Sequence, residues 1–106
     1  MIVERLSFQA KYGRGDELVA LAREWNQRMM PAMREMGALG ARIYTDATGP
    51  MFTMQLETEF SDWPAYGRFM AADQEMYGTP EFQEWFGRMT ACTERGDRQV
   101  FNVETA

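Results

Sequence analysis

Ten methionines, one cysteine and no histidine limit the chemistry this sequence can offer before any fold is considered. Histidine is the commonest metal ligand and the commonest general base, so its absence excludes histidine-ligated haem, most zinc chemistries and the usual catalytic triads together. Met29, Met33 and Met36 share one helical stripe, where thioethers could hold Cu(I). The same spacing suits methionine as a gap-filler against Trp25, and core packing is the better reading. Cys92 has no partner for an internal disulfide and falls in the apolar part of a helical pattern, as a buried inert thiol would. No metal and no cofactor is therefore expected. Proton chemistry needs a polar group to take a proton and donors to hold the resulting anion in a dry pocket. Tyr44, Tyr66, Arg42 and Asn102 are the types available, with Trp63 or Trp85 as walls. Tyr66 and the tryptophans also lie in helical stripes, where such side chains fill cores, and Arg42 and Tyr44 would equally dock a second chain.

The elements that must position these residues are legible in the periodicity. From Ile2 to Ala10, Ile2, Leu6, Phe8 and Ala10 alternate with Val3, Arg5, Ser7 and Gln9, a period of two broken only by Glu4. This predicts the first strand. Gly13 to Asp16 turns the chain, with Asp16 as helix N-cap, and Leu18, Leu21, Ala22, Trp25, Met29, Met33 and Met36 follow at helical spacing. Pro31 inside that run predicts a kink near Met30, with the helix resuming to Gly37. Ala41 to Phe60 reads as a hairpin around Asp46, Thr48, Gly49 and Pro50. After its turn, Phe52, Met54, Leu56 and Phe60 point one way, and Thr53, Gln55 and Glu57 the other. Ser61 caps a second helix with Pro64 in its first turn, and Thr79, Pro80 and Glu81 start a third with Phe82, Trp85, Phe86, Met89 and Cys92 as its stripe. Gly96 and Asp97 then turn the chain into a last strand, Gln99 to Glu104, whose phase is ambiguous.

Strand, helix, strand, strand, helix pair, strand is the order of an α+β ferredoxin-like sandwich, a four-stranded antiparallel sheet with its helices on one face. The opposite face then carries Val3, Arg5, Ser7, Gln9, Arg42, Tyr44, Met51, Thr53, Gln55 and Glu57. Either that face is solvated, or two such sheets meet, with Arg5 or Arg42 pairing with Glu57.

A chain of 106 residues fits one domain, residues 1–106, with a single two-layer core. No apolar run approaches the ~20 residues of a membrane span. The amino-terminal MIVERLSFQA has charges inside its apolar run, unlike a signal peptide, so a cytoplasmic location is expected. A net charge of −5 repels a phosphate backbone, and nucleic acid is not an expected partner.

The stretches DATGPMFTMQLETEFSDWPAY and MYGTPEFQEWFGRM, within this element order, resemble the dimeric α+β barrel superfamily, most of all its NIPSNAP-like branch. That resemblance implies a homodimer in which two sheets enclose a barrel. It favours the paired-sheet reading and makes Arg5, Arg42, Tyr44, Gln55 and Glu57 barrel residues, with Trp63, Tyr66, Trp85 and Asn102 as pocket candidates. Relatives of this kind include cofactor-free monooxygenases, haem-degrading enzymes, small isomerases and proteins without a known activity. The haem-degrading carry-over fails, since no histidine is present to serve as axial ligand. The expected role is to hold a small apolar or aromatic metabolite between sheet and helices. The alternative is a cofactor-free monooxygenase acting on an aromatic or polyketide-like substrate. A titratable group inside the cavity, rather than at its rim, would separate turnover from binding.

Overall fold

The computed structural model describes residues 1–105. Alternation in the first segment produces β1 (Ile2–Ala10), followed by α1 (Gly15–Glu35), β2 (Ala38–Thr45), β3 (Thr53–Phe60), α2 (Trp63–Met76), α3 (Pro80–Cys92) and β4 (Thr93–Asn102). The sheet order is β2-β3-β1-β4, with every neighbouring pair antiparallel. This is the α+β ferredoxin-like arrangement, with the three helices on one face of the sheet.

Local chemistry departs from the sequence expectations at several element ends. Asp16 lies inside the first turn of α1 rather than at its cap, where its charge still favours the positive end of the helix dipole; Arg14 holds the cap position, and its side chain makes no capping bond. α1 stays one helix through Pro31 and stops at Glu35, because Gly37 adopts φ +105 and starts β2 three residues before the expected Ala41. A methyl group at Gly37 would lie 2.5 Å from the Ala65 Cβ, so the residue also permits a close approach of α2. Asp62, not Ser61, caps α2 by accepting from the Ala65 amide at 2.9 Å, and Thr79 caps α3. Phe52 and Met51 sit in the β2–β3 turn instead of on β3, with Phe52 at φ +62 and its ring packed edge-on to Tyr12.

The largest correction is at β4. Gly96 and Asp97 form no turn: α3 passes directly into the strand at Thr93, and both residues pair with β1. Gly96 stands opposite Phe8, and a Cβ there would meet the Phe8 ring at 3.0 Å. The glycine makes room for an aromatic ring across the sheet rather than breaking the strand. Pairing also settles the phase of β4: Arg98 stands beside Leu6 and Val100 beside Glu4 on the helix side, with Phe101 beside Val3 on the other.

Buried side chains form two clusters. One joins Leu18, Leu21, Met54, Phe82, Trp85 and Met89 at the α1–α3 end, and the other joins Ile2, Met33, Phe60, Ala65 and Phe69 at the α2 end. Phe60 is fully buried, which contributes roughly 2–3 kcal/mol of apolar transfer. Leu6 and Leu56, mid-strand between the clusters, are only half-buried. The sheet and helices separate there.

Candidate functional site: a cavity between sheet and helices

The gap between the clusters is a cavity of about 570 Å³, within the range of small-molecule sites. Leu6, Phe8 and Leu56 form its sheet side, Trp25, Met29 and Met33 its α1 wall, Phe69, Ala72 and Met76 its α2 wall, and Trp85 and Met89 its α3 wall. Trp85 is fixed from two sides: it stacks on Trp25 with ring centres 4.9 Å apart, and its Nε1 donates to the Leu21 carbonyl at 2.9 Å. Rigid aromatic walls of this kind suit a flat apolar guest. Met29, Met33 and Met36, taken from their spacing as core fillers, also border this space.

A buried acid and its partners gather where β1, α2 and β4 meet the lining, while Asn26 of α1 and Thr90 of α3 are polar groups elsewhere on it. Glu4 enters from β1 and is only 5% exposed; the Tyr66 hydroxyl from α2 donates to its Oε2 at 2.8 Å, and the Arg98 Nε from β4 lies 3.7 Å from the same oxygen. Thr58 stands opposite Glu4 on β3. Farther along α2, the Tyr77 hydroxyl donates to Asp73 Oδ2 at 2.7 Å, and the Arg98 charge acts on Glu4, Tyr66, Asp73 and Tyr77 alike. Burial raises the Glu4 carboxyl above its ordinary range, and the Tyr66 hydrogen bond and the Arg98 charge offset only part of that rise. Burial also raises Asp73, against the Tyr77 hydrogen bond. Tyr66 is pushed up to about 12 by burial and by its bond to Glu4, so it stays a donor.

The residues singled out from sequence separate into three places. Trp85 lines the cavity, and Tyr66 meets it through Glu4. Trp63 and Asn102 pair with each other, the indole Nε1 donating to Oδ1 at 3.1 Å at an exposed site off the cavity lining. Arg5, Arg42, Tyr44, Gln55 and Glu57 all belong to the uncovered sheet face, where Glu57 stands in register with both Arg5 and Arg42, and Gln55 with Tyr44. Arg5 Nε donates to Glu57 Oε2 at 2.7 Å, and the Tyr44 hydroxyl donates to Oε1 at 2.9 Å. Burial works against ionisation of Glu57, but these two hydrogen bonds and the arginine charges outweigh it and hold the carboxyl below its ordinary range.

Glu4, Asp73, Tyr77 and Arg98 are the cavity residues that sequence reasoning missed. For Glu4 the signal was present: an acid in the inward phase of β1 is either paired or functional. Arg98 carried no such signal, because the phase of β4 depends on its pairing. Among the described residues, no group of three or more His, Cys, Asp or Glu side chains could hold a metal ion. No helix among the described residues is long and apolar enough to cross a membrane.

No family model and no curated protein matches the chain. Solved structures do. A NIPSNAP domain protein from Burkholderia xenovorans superposes with a TM-score of 0.71 at 13% identity, covering 98% of this chain and 95% of that one. A NIPSNAP family protein from Agrobacterium tumefaciens gives 0.71 at 14% identity over 95% and 90% of the two chains. An antibiotic biosynthesis monooxygenase gives 0.63 at 17% identity over 99% and 100%. Identities this low establish the fold alone: the chain shares the ferredoxin-like α+β fold of NIPSNAP and antibiotic biosynthesis monooxygenase structures.

Proposed function

We propose that this protein is a single-domain cytoplasmic homodimer that binds a small apolar or aromatic metabolite in the cavity between its sheet and helices. The observation that carries this reading is the 570 Å³ space walled by the stacked Trp25 and Trp85, with the buried Glu4 among its few polar wall groups. Burying an aromatic guest against such walls supplies the affinity, and the polar groups orient it. Naphthalene and its derivatives are suitable probes, followed by tryptophan fluorescence, with Trp63 outside the cavity as an internal reference. Saturable quenching at micromolar concentration is expected, and Ala72→Trp, which fills the space, should abolish it. A wild-type protein that shows no saturable response would overturn the reading.

Pairing of two chains through the uncovered sheet faces belongs to the same proposal. It is supported by Tyr44 and Phe101, which leave 42% and 39% of their surface exposed on a face where Arg5 lies 5.1 Å from the Phe101 ring centre. Light scattering should give twice the 12.3 kDa chain mass, and a value near 12.3 kDa at micromolar concentration would restore a solvated sheet.

A second reading, cofactor-free monooxygenation of an aromatic or polyketide-like substrate, is favoured by one feature: a buried carboxylate inside the cavity. Glu4 would take a proton from the substrate, and the carbanion or phenolate would react with dioxygen; the substrate is itself the reductant, a ring carbon gaining a carbonyl oxygen while two substrate hydrogens leave with the other oxygen atom as water. An oxygen electrode with hydroxylated polycyclic substrates tests it. No substrate-dependent oxygen uptake leaves the protein a binder.

A further inference from the structure

We infer that Glu4 selects the cavity's ligand, accepting a hydrogen bond on Oε1 from the hydroxyl group of a hydroxylated aromatic molecule. The inference rests on the cavity being the binding site. Its starting point is an asymmetry within one carboxylate. Tyr66 and Arg98 both approach Oε2, and no described residue donates to Oε1. Among the described residues, no fully buried side-chain nitrogen or oxygen lacks a partner, so Oε1 must reach open space, and the space beside Glu4 is the cavity. A residue 5% exposed thus presents one unpaired acceptor to an apolar chamber. Burial of such an acceptor is costly until a donor meets it, so an occupant that brings a donor is preferred over one that does not.

The surrounding charges fix the sign of the preference. The Tyr66 hydroxyl donates to Oε2 and the Arg98 charge lies nearest the same oxygen, which leaves the accepting capacity of Oε1 free. α1, α3 and β3 bring no titratable side chain to the lining; Asp73 from α2, Tyr77 just past its end, and Glu94, Arg95, Asp97 and Arg98 from β4 are the others there. Asp73 already accepts from Tyr77. That bond engages Oδ2 alone, but Asp73 is only half-buried and Glu94 and Asp97 are exposed, so Glu4 is the buried carboxylate with an oxygen left to offer.

Two probes of nearly equal shape test this: 2-naphthol, which donates, and 2-methoxynaphthalene, which only accepts. Wild-type protein at neutral pH should bind 2-naphthol at least tenfold more tightly. In Glu4→Gln the Tyr66 hydroxyl and the nearby Arg98 charge hold the amide oxygen at the Oε2 position and turn the amide NH2 into the cavity, so the preference should vanish or reverse. Equal wild-type affinities would overturn the inference and leave the cavity's role as a binding site intact; failure of both probes to bind would remove that role and the inference with it. If Glu4→Gln does not fold, the wild-type ratio still decides. Because Tyr66 donates to Oε2, the proton taken up at low pH sits on Oε1 and makes it a donor, so the preference for 2-naphthol should fall as Glu4 protonates. Asp73 is the other lining carboxyl whose affinity for protons is raised, so Asp73→Asn should keep this pH dependence. A ratio independent of pH, or a dependence lost in Asp73→Asn, would overturn the assignment to Glu4.

Discussion

The two faces of this sheet each hold a glutamate beside a tyrosine and an arginine, and the two sets behave in opposite ways. On the uncovered face, Tyr44 and Arg5 occupy both oxygens of Glu57, the arginine at 2.7 Å, and the carboxyl is held below its ordinary range. On the helix face, Tyr66 and Arg98 share one oxygen of Glu4, the arginine at 3.7 Å, and the carboxyl is held above its range. Side-chain exposure is 16% for Glu57 and 6% for Glu4. Residue type is therefore a poor guide to role. Burial and the number of oxygens engaged make one set a completed pair, suited to structure, and the other an incomplete one, suited to a ligand.

The largest expected effect tests whether the completed pair is enclosed between two chains. Glu57→Ala would then leave Arg5 buried and unmatched, with a loss of ~3 kcal/mol or more in denaturant melts at matched concentration. A loss under ~1 kcal/mol would place that face in water and reduce the contrast to one of burial within a single chain.

Next in size is the loss of each tyrosine hydroxyl. Tyr66→Phe removes the only hydrogen bond that a described residue makes to a buried carboxylate, and should cost about 1–3 kcal/mol. Tyr44→Phe leaves Glu57 with Arg5 on a half-open face and should cost less than half as much in a monomer. Equal costs, measured by the same melts, would mean that the two environments are alike.

The smallest effect, and the most diagnostic, is a pair of slopes against pH. Glu4 has a raised folded-state value, so between the ordinary 4.5 and that value the folded protein binds more protons; its stability relative to Glu4→Gln should fall as pH rises across that window and then level off. Glu57 has a lowered value, so the stability it contributes is present above 4.5 and should disappear as pH falls through the folded value. Wild type compared with Glu57→Gln should therefore show the opposite slope. Slopes of one sign for both glutamates would break the comparison.

The legibility of these two sets differed for a physical reason. Arg5, Tyr44 and Glu57 lie on the outward phase of adjacent strands, where cross-strand neighbours follow from alternation and hairpin register, so their meeting could be expected from pattern. Glu4 was visible only as an interruption of β1. Its partner Tyr66 is 62 positions away on a helix whose rotation over the sheet no strand periodicity reports, and Arg98 lies on a strand misread because Gly96 and Asp97 looked like a turn. Gly96 is there to admit the Phe8 ring, a requirement set by a residue across the sheet.

The sequence by itself determined the element order, the two-faced character of β1 and β3 and the exclusion of histidine chemistry, because these depend on residue type and local period alone. The tertiary structure decided that the core divides into two clusters with a chamber between them, and that Glu4 lines it with one oxygen unmatched by any described donor. A void is the difference between the volume enclosed by sheet and helices and the volume their side chains fill. That difference exists only once distant elements have packed.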